Sequence, residues 1–436
     1  MTDEKVYRET AKFDAIDGDL TIEEGRVEAL EGKLQVSGRI TCEKDCELVG
    51  EIEAYEVYSS RGDVTIRGSL NAKRIELRRG RLNVSGSLTA EEMRISRSLN
   101  VGENLKADSA RVGGSIEVLG NVDAGRIRAG GSFRVEHDSR VEKVDAGGSY
   151  KVKGKATSKT IDVGGTLKTG EVEAEEIDVG GTFSADGAAL VDTIDVGGTV
   201  RLTGGKVMHK IDVGGTLKSS EFLEFGDIDV GGTVKLGEGG SGQIVDVGGS
   251  FTSDGPLKFS RIDVGGTVKL NSHSEGEDVS VGGTLKARGD LTLNNRLKVG
   301  GKAIIDGVLK AASVRVGGRI EADTIIAEQF IETSRLKTRN GAKATRIEIS
   351  RRGDAIGPLV GEIVTLKERV VADDIYADRI EVRSGCKVGN LYGRIVHVDR
   401  RCEVESVTYT EDLRVDNDVM IRSGTRKSEK LPKPPL

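Results

Sequence analysis

The residues best suited to acid–base chemistry near neutral pH are the four histidines, His137, His209, His273 and His397. They fall in unrelated sequence contexts, and no Cys/His/Asp cluster with metal-ligand spacing surrounds them. They are expected to face solvent or to sit in turns. No catalytic, cofactor-binding or metal-binding residue is assigned to the chain. Cys42 and Cys46, in the run CEKDC, have no second cysteine pair to complete a zinc site. Cys386 and Cys402 lie 16 residues apart. They are expected to stack as buried free thiols, since four cysteines in 436 residues are no disulfide framework. The abundant glycines form no GxxxxGK[ST] phosphate loop.

One set of chemically active side chains is strictly spaced. Asp145, Asp162, Asp178, Asp195, Asp212, Asp229, Asp246 and Asp263 recur every 16 or 17 residues. Six residues after most of them comes a cation, as in Lys151, Lys168, Arg201, Lys218, Lys235 and Lys269. Carboxylates stacked about 4.8 Å apart would repel by roughly 0.9 kcal/mol per neighbour even in water. Such a stripe therefore needs an offset. It is expected to be a solvated face partly neutralised by the basic column. The sharper expectation is lateral pairing, with the acid stripe of one molecule facing the basic stripe (Lys151, Lys168, Lys218, Lys235) of another. Divalent cations along the stripe are a weaker third option.

What places these side chains is a repeat. A hydrophobic-Gly-Gly-polar tetrad occurs thirteen times, its first glycines being Gly113, Gly130, Gly147, Gly164, Gly180, Gly197, Gly214, Gly231, Gly248, Gly265, Gly282, Gly300 and Gly317. The spacing stays at 16 to 18 residues throughout, which marks a solenoid. Three positions before the first glycine every residue is apolar, one before it every residue is Val or Ala, and three after it every residue is apolar or aromatic. That alternation is a strand on each side of a corner, with one face inward. The glycines are expected at the corner because a residue without Cβ can adopt unusual backbone angles. Seventeen residues give a contour of roughly 55 Å, enough for three sides of five or six residues. The fold class expected is therefore all-β: a single-stranded parallel β-helix (β-solenoid) of triangular cross-section with about 17 residues per coil.

The repeat is most regular over 111–320 and takes a 16-residue period over 359–415; around 325–345 it reads as irregular, with a turn at Arg339–Asn340–Gly341. One continuous β-helix is expected over 18–420, on the order of 23 coils or roughly 110 Å. Residues 1–17 are expected as a polar N-terminal tail. Residues 421–436, rich in proline and lysine, are expected as a disordered C-terminal tail. Composition agrees. Of the residues, 60 are glycine and only 3% are aromatic, so Val, Ile and Leu must form the core. A net charge of -6 and scarce aromatic residues argue against a nucleic-acid surface. No apolar run is long enough for a spanning helix, and no secretory leader is evident; the cytoplasm is the default location.

Hexapeptide-repeat acyltransferases are also β-helices, but need an echo every six residues on all three faces, whereas glycine pairs here mark one corner. A fixed period also leaves little loop from which to build a cleft. No enzymatic activity and no small-molecule substrate are expected.

The tandem VGGTLK and VSGSLTA-type coils, with aliphatic columns and short polar flanks, resemble the bactofilins, the polymer-forming cytoskeletal family. The resemblance covers about 90% of the chain. It implies a right-handed triangular β-helix that assembles end to end into non-polar filaments without nucleotide, and a scaffold or cell-shape role, in some members at the inner face of the membrane. It implies as partners further copies of the chain and, through the tails, cell-envelope or membrane-associated proteins. This chain is several times longer than a typical single-domain member and shows no clear membrane-binding segment. Independently of the resemblance, an uncapped β-helix ends in unpaired strand edges over an aliphatic cross-section. The surfaces expected to meet are Leu20, Ile22, Val27 and Leu30 at one end, and Leu413, Val415, Met420 and Ile421 at the other. The alternative is a capped monomeric rod that acts as a binding scaffold.

Overall fold

The structure, a computed structural model, describes residues 3–436. Among them there is no α-helix; the chain is strands, corners and bends, and every strand pairing is parallel. Two compact units divide at Thr216 and Leu217.

In the first unit a coil consists of one eight- or nine-residue strand, a corner, and a short strand. Leu105–Val112, Val122–Ala129 and Ser139–Ala146 stack as the long sides, with Ile116–Val118, Ser132–Val135 and Ser149–Val152 as the short ones. The long strand bends where pairing skips a residue: Ala107 pairs with Ala124 and Ser109 with Arg126, leaving Asp108 and Gly125 at the bend. This bend is the third corner. Side chains alternate inward and outward, so Leu105, Ala107, Ala110 and Val112 are buried while Lys106 and Arg111 are exposed. The second unit repeats the scheme with Leu359–Leu366 on Ile375–Val382. Its strand Lys302–Ile356 is unbroken through the stretch expected to be irregular, with Ile325, Ile331, Leu336 and Ala342 fully buried. Inward apolar residues kept the period there even though the Gly-Gly signal lapsed.

The glycine corners have a different cause from the one expected. No glycine of the thirteen pairs takes a left-handed φ. Instead, each corner lies directly over the one below. A Cβ at Gly130 would stand 2.2 Å from the Gly113 carbonyl oxygen, and one at Gly214 would stand 2.4 Å from that of Gly197. Between these corners the Gly130 amide donates to the Val112 carbonyl at 2.9 Å. Close approach of coil to coil, not backbone angle, excludes side chains here.

Rings do enter the narrow interior. Phe133, Tyr150, Phe183 and Phe251 are the largest fully buried side chains. Phe133 and Tyr150 occupy the same inward column on adjacent coils and stack at 4.8 Å with planes 6° apart. Stacking in register lets a ring occupy the thickness of one coil.

The coil scheme reaches beyond both expected boundaries. Glu4–Tyr7 pairs with Leu20–Glu23 and Thr10–Phe13 with Arg26–Ala29, so the expected polar tail is a coil. At the other end Thr425–Lys427 pairs with Val407–Tyr409.

Candidate assembly surfaces

The outermost coil of the first unit is built by Glu4–Tyr7, Thr10–Phe13 and Ala15–Ile16. Leu20, Ile22 and Val27 lie one coil further in and are wholly buried. They are core residues, which corrects the expectation that they form an end surface. Leu30 is 59% exposed, but it sits on an insertion: pairing jumps from Glu28 to Lys33, so Leu30 bulges from the side of the coil. The end face instead carries Ala11 and Phe13, both half-buried. Sequence reasoning missed it because three polar-rich strands hid the alternation; Val6, Phe13 and Ile16 were the available signal.

The second unit presents a barer edge. Asp412–Val415 pairs on one side with Ile395–Val398. On its other side Glu403–Val404 receives Met420–Ile421, and Val407–Tyr409 receives Thr425–Lys427, which leaves Asp412–Val415 without an outer partner among the described residues. Val415 is 41% and Met420 59% exposed, with Leu413 and Ile421 half-buried. These four side chains lie within the last turns of the second unit. A parallel edge strand offers alternate N–H and C=O groups to any further strand.

The acid stripe is real as a ladder. In the first unit Asp145, Asp162, Asp178, Asp195 and Asp212 are successive register partners; in the second, Asp229, Asp246 and Asp263 are. Arg128 bonds Asp145 at 2.6 Å from the coil before the stripe, Lys210 reaches Asp212 at 2.7 Å, and Arg261 reaches Asp263 at 2.9 Å. Asp178, between two aspartates, has its carboxyl pKa raised by partial burial and by the charges of Asp162, Asp195 and Glu176. The basic column stacks likewise, Lys151 on Lys168. Lys168 pairs with Asp186 at 2.9 Å and Lys235 with Asp254 at 3.0 Å, carboxylates on the next coil rather than members of the stripe. Asn271 and Lys235 together hold the Asp254 pKa low.

The histidines do not converge. His137 and His209 are exposed, His273 meets Glu275 at 2.9 Å, and His397 lies 3.4 Å from Asp399. Among the described residues no group of three His, Cys, Asp or Glu could hold a metal ion. One concavity of the first unit follows its alanine bend, past Ala54, Ala72, Ala90 and Ala107, and contains neither histidine nor cysteine. Cys386 and Cys402 are free and buried on adjacent coils. Cys386 donates to the Lys367 carbonyl at 3.0 Å, and Cys402 to that of Arg383 at 3.2 Å. The adjacent Cys402 sulfur and burial push the Cys386 thiol up, while the neighbouring Cys386 holds Cys402 below the usual thiol range. Cys42 and Cys46 are joined in a disulfide with Cα atoms 6.1 Å apart, closing a corner that sequence reasoning left without a role.

Among the described residues no helix is long and apolar enough to cross a membrane. No family model, curated protein or solved structure matches the chain.

Proposed function

We propose that the protein is a structural, non-enzymatic scaffold that polymerises through its terminal coils, without a nucleotide or metal cofactor, and that its principal partner is another copy of itself. The observation that carries this reading is the open edge at Asp412–Val415, beside exposed Val415 and Met420. Unpaired strand groups next to apolar side chains are satisfied by a further coil, and a second copy supplies one. The resemblance to the bactofilins points the same way, toward a cytoskeletal role in the cytoplasm or along the inner membrane face. The charge ladders would then serve lateral contact between filaments. Their internal neutralisation by Arg128, Lys210 and Arg261 makes that contact secondary to the ends.

Negative-stain microscopy and sedimentation of the full chain test the reading. Filaments are expected, with Val415→Arg or Leu413→Arg reducing them to single particles of unchanged circular dichroism. Monomers at all concentrations, or filaments indifferent to both substitutions, would overturn it. A monomer would favour the capped-rod alternative.

A further inference from the structure

The segment Ser428–Leu436, SEKLPKPPL, was expected to be disordered, yet it lies against the second unit. Ser428, Leu431 and Pro434 are half-buried, while Glu429, Lys430, Pro432, Lys433 and Pro435 are exposed. Leu436 is half-buried as well, and after a bend at Glu429 and Lys430 the run Leu431–Leu436 is neither strand nor helix and half proline, a composition that favours polyproline II backbone. It begins where the Ser428 amide donates to the Tyr409 carbonyl at 2.9 Å. It ends where the Leu436 Cδ1 methyl covers Gly341, 2.8 Å from the place a Cβ would take, beside Pro358. The register Ala342, Leu359, Ile375, Leu391, Val407, Thr425 puts Ser428 and Gly341 five coils apart, about 24 Å. Eight extended residues reach about 26 Å, enough to run back along the outside of these coils.

The surface beside this path suits such a guest. The outward column next to Pro358 is Val360, Tyr376 and Tyr392. Tyr376 and Tyr392 stack at 4.7 Å. Val360 is only 7% exposed despite its outward register, between Lys343 and Tyr376 in that column. Stacked aromatic rings beside small residues form the kind of groove in which proline-rich segments dock, because a polyproline II helix is already ordered when it binds. From Glu429 onward the segment makes no backbone hydrogen bond to the solenoid among the described residues. The Leu436 side chain seats over Gly341 beside Pro358, so leaving this surface breaks no strand pairing.

We propose that Gly341, Pro358, Val360, Tyr376 and Tyr392 form a docking groove for an extended proline-rich segment. It is filled by the chain's own Ser428–Leu436 and open to the same segment of a second copy once its own is displaced. This lateral link is independent of end-to-end assembly.

The test uses full-length Leu436→Asp, which places a charge on the methyl's seat. Trypsin cleavage after Lys430 is expected to speed up at least tenfold relative to the unsubstituted chain, with circular dichroism unchanged. A fluorescein-labelled SEKLPKPPL peptide should bind Leu436→Asp saturably and at least tenfold more tightly than it binds the unsubstituted chain, whose groove is filled. Adding Tyr376→Ala and Tyr392→Ala to Leu436→Asp should weaken the peptide at least tenfold. Unchanged cleavage would overturn the seating of the segment. Equal peptide binding to both chains, no binding to either, or indifference to the tyrosines would overturn the groove as a docking site.

Discussion

Asp162 and Asp178 stand directly opposite one another on adjacent coils, with Asp195 next in line. Partial burial of Asp178 and, after it, the charges of Asp162, Asp195 and Glu176 oppose its ionisation in the folded chain and raise its pKa. The sign follows from proton binding. A carboxyl whose pKa is higher in the folded chain binds a proton more readily there than when unfolded. Its penalty is complete above the folded pKa and disappears as pH falls below the ordinary carboxylate range near 4. Asp178→Asn is therefore expected to raise the melting midpoint at pH 7 by about 1–3 °C and to leave it unchanged at pH 3. One molar salt should shrink the difference at pH 7. Calorimetry at the two pH values and two salt concentrations checks it.

The coil-to-coil contact at Gly214 sets a second expectation. Alanine there must place a methyl against the Gly197 carbonyl, a backbone atom that cannot swing aside. Gly214→Ala should cost about 1–3 kcal/mol, the usual range for overpacking. Gly32→Asn is the control. Gly32 has φ of +83° with nothing within 4 Å of its Cβ position, and asparagine tolerates that conformation. Urea unfolding should separate the two substitutions clearly.

Legibility followed the repeat. Where Gly-Gly tetrads and Val/Ile columns coincided, as from Ile161 to Val281, the sequence predicts period, corner and inward face, and the register agrees. It fails where burial is carried by few apolar residues. Thr10–Phe13 holds only Ala11 and Phe13 on its inward side, so its coil looked like a polar tail, and the end surface was displaced by one coil. The Ser428–Leu436 segment was missed for another reason. Polyproline II has no internal hydrogen bonds and a composition like disorder, and only the place where it docks tells the two apart. The Gly-Gly corners were located correctly but attributed to backbone angle, since spacing alone does not distinguish strain from crowding.

That displaced end surface gives a third prediction. Ile22→Arg buries an unpaired charge beneath the first coil and should unfold the first coils, at a cost of about 3 kcal/mol or more. Leu30→Arg changes a bulged, exposed side chain and should stay within about 0.5 kcal/mol of the unsubstituted chain. Filaments should survive it. Hydrogen exchange over residues 4–42 distinguishes the outcomes, with protection lost in the first substitution and kept in the second.

Tyr150 and Ser139 give the fourth. The Tyr150 hydroxyl donates to Ser139 Oγ at 2.6 Å inside the coil, both residues being about 1% exposed. Burial raises the Tyr150 pKa, which keeps the phenol protonated at neutral pH. Tyr150→Phe leaves the Ser139 hydroxyl without its donor in an apolar interior, where an unsatisfied polar group costs about 1–3 kcal/mol. The stack on Phe133 is kept, because phenylalanine has the same ring. Ser139→Ala alone strands the phenol hydroxyl and should cost a similar amount. The position itself accepts alanine: Val122 and Ala156 are its register partners below and above. The double substitution removes both polar groups together and should cost clearly less than the sum of the two single ones. A double-mutant cycle by urea unfolding measures the coupling. Additive costs would mean that the pair is not hydrogen-bonded in solution.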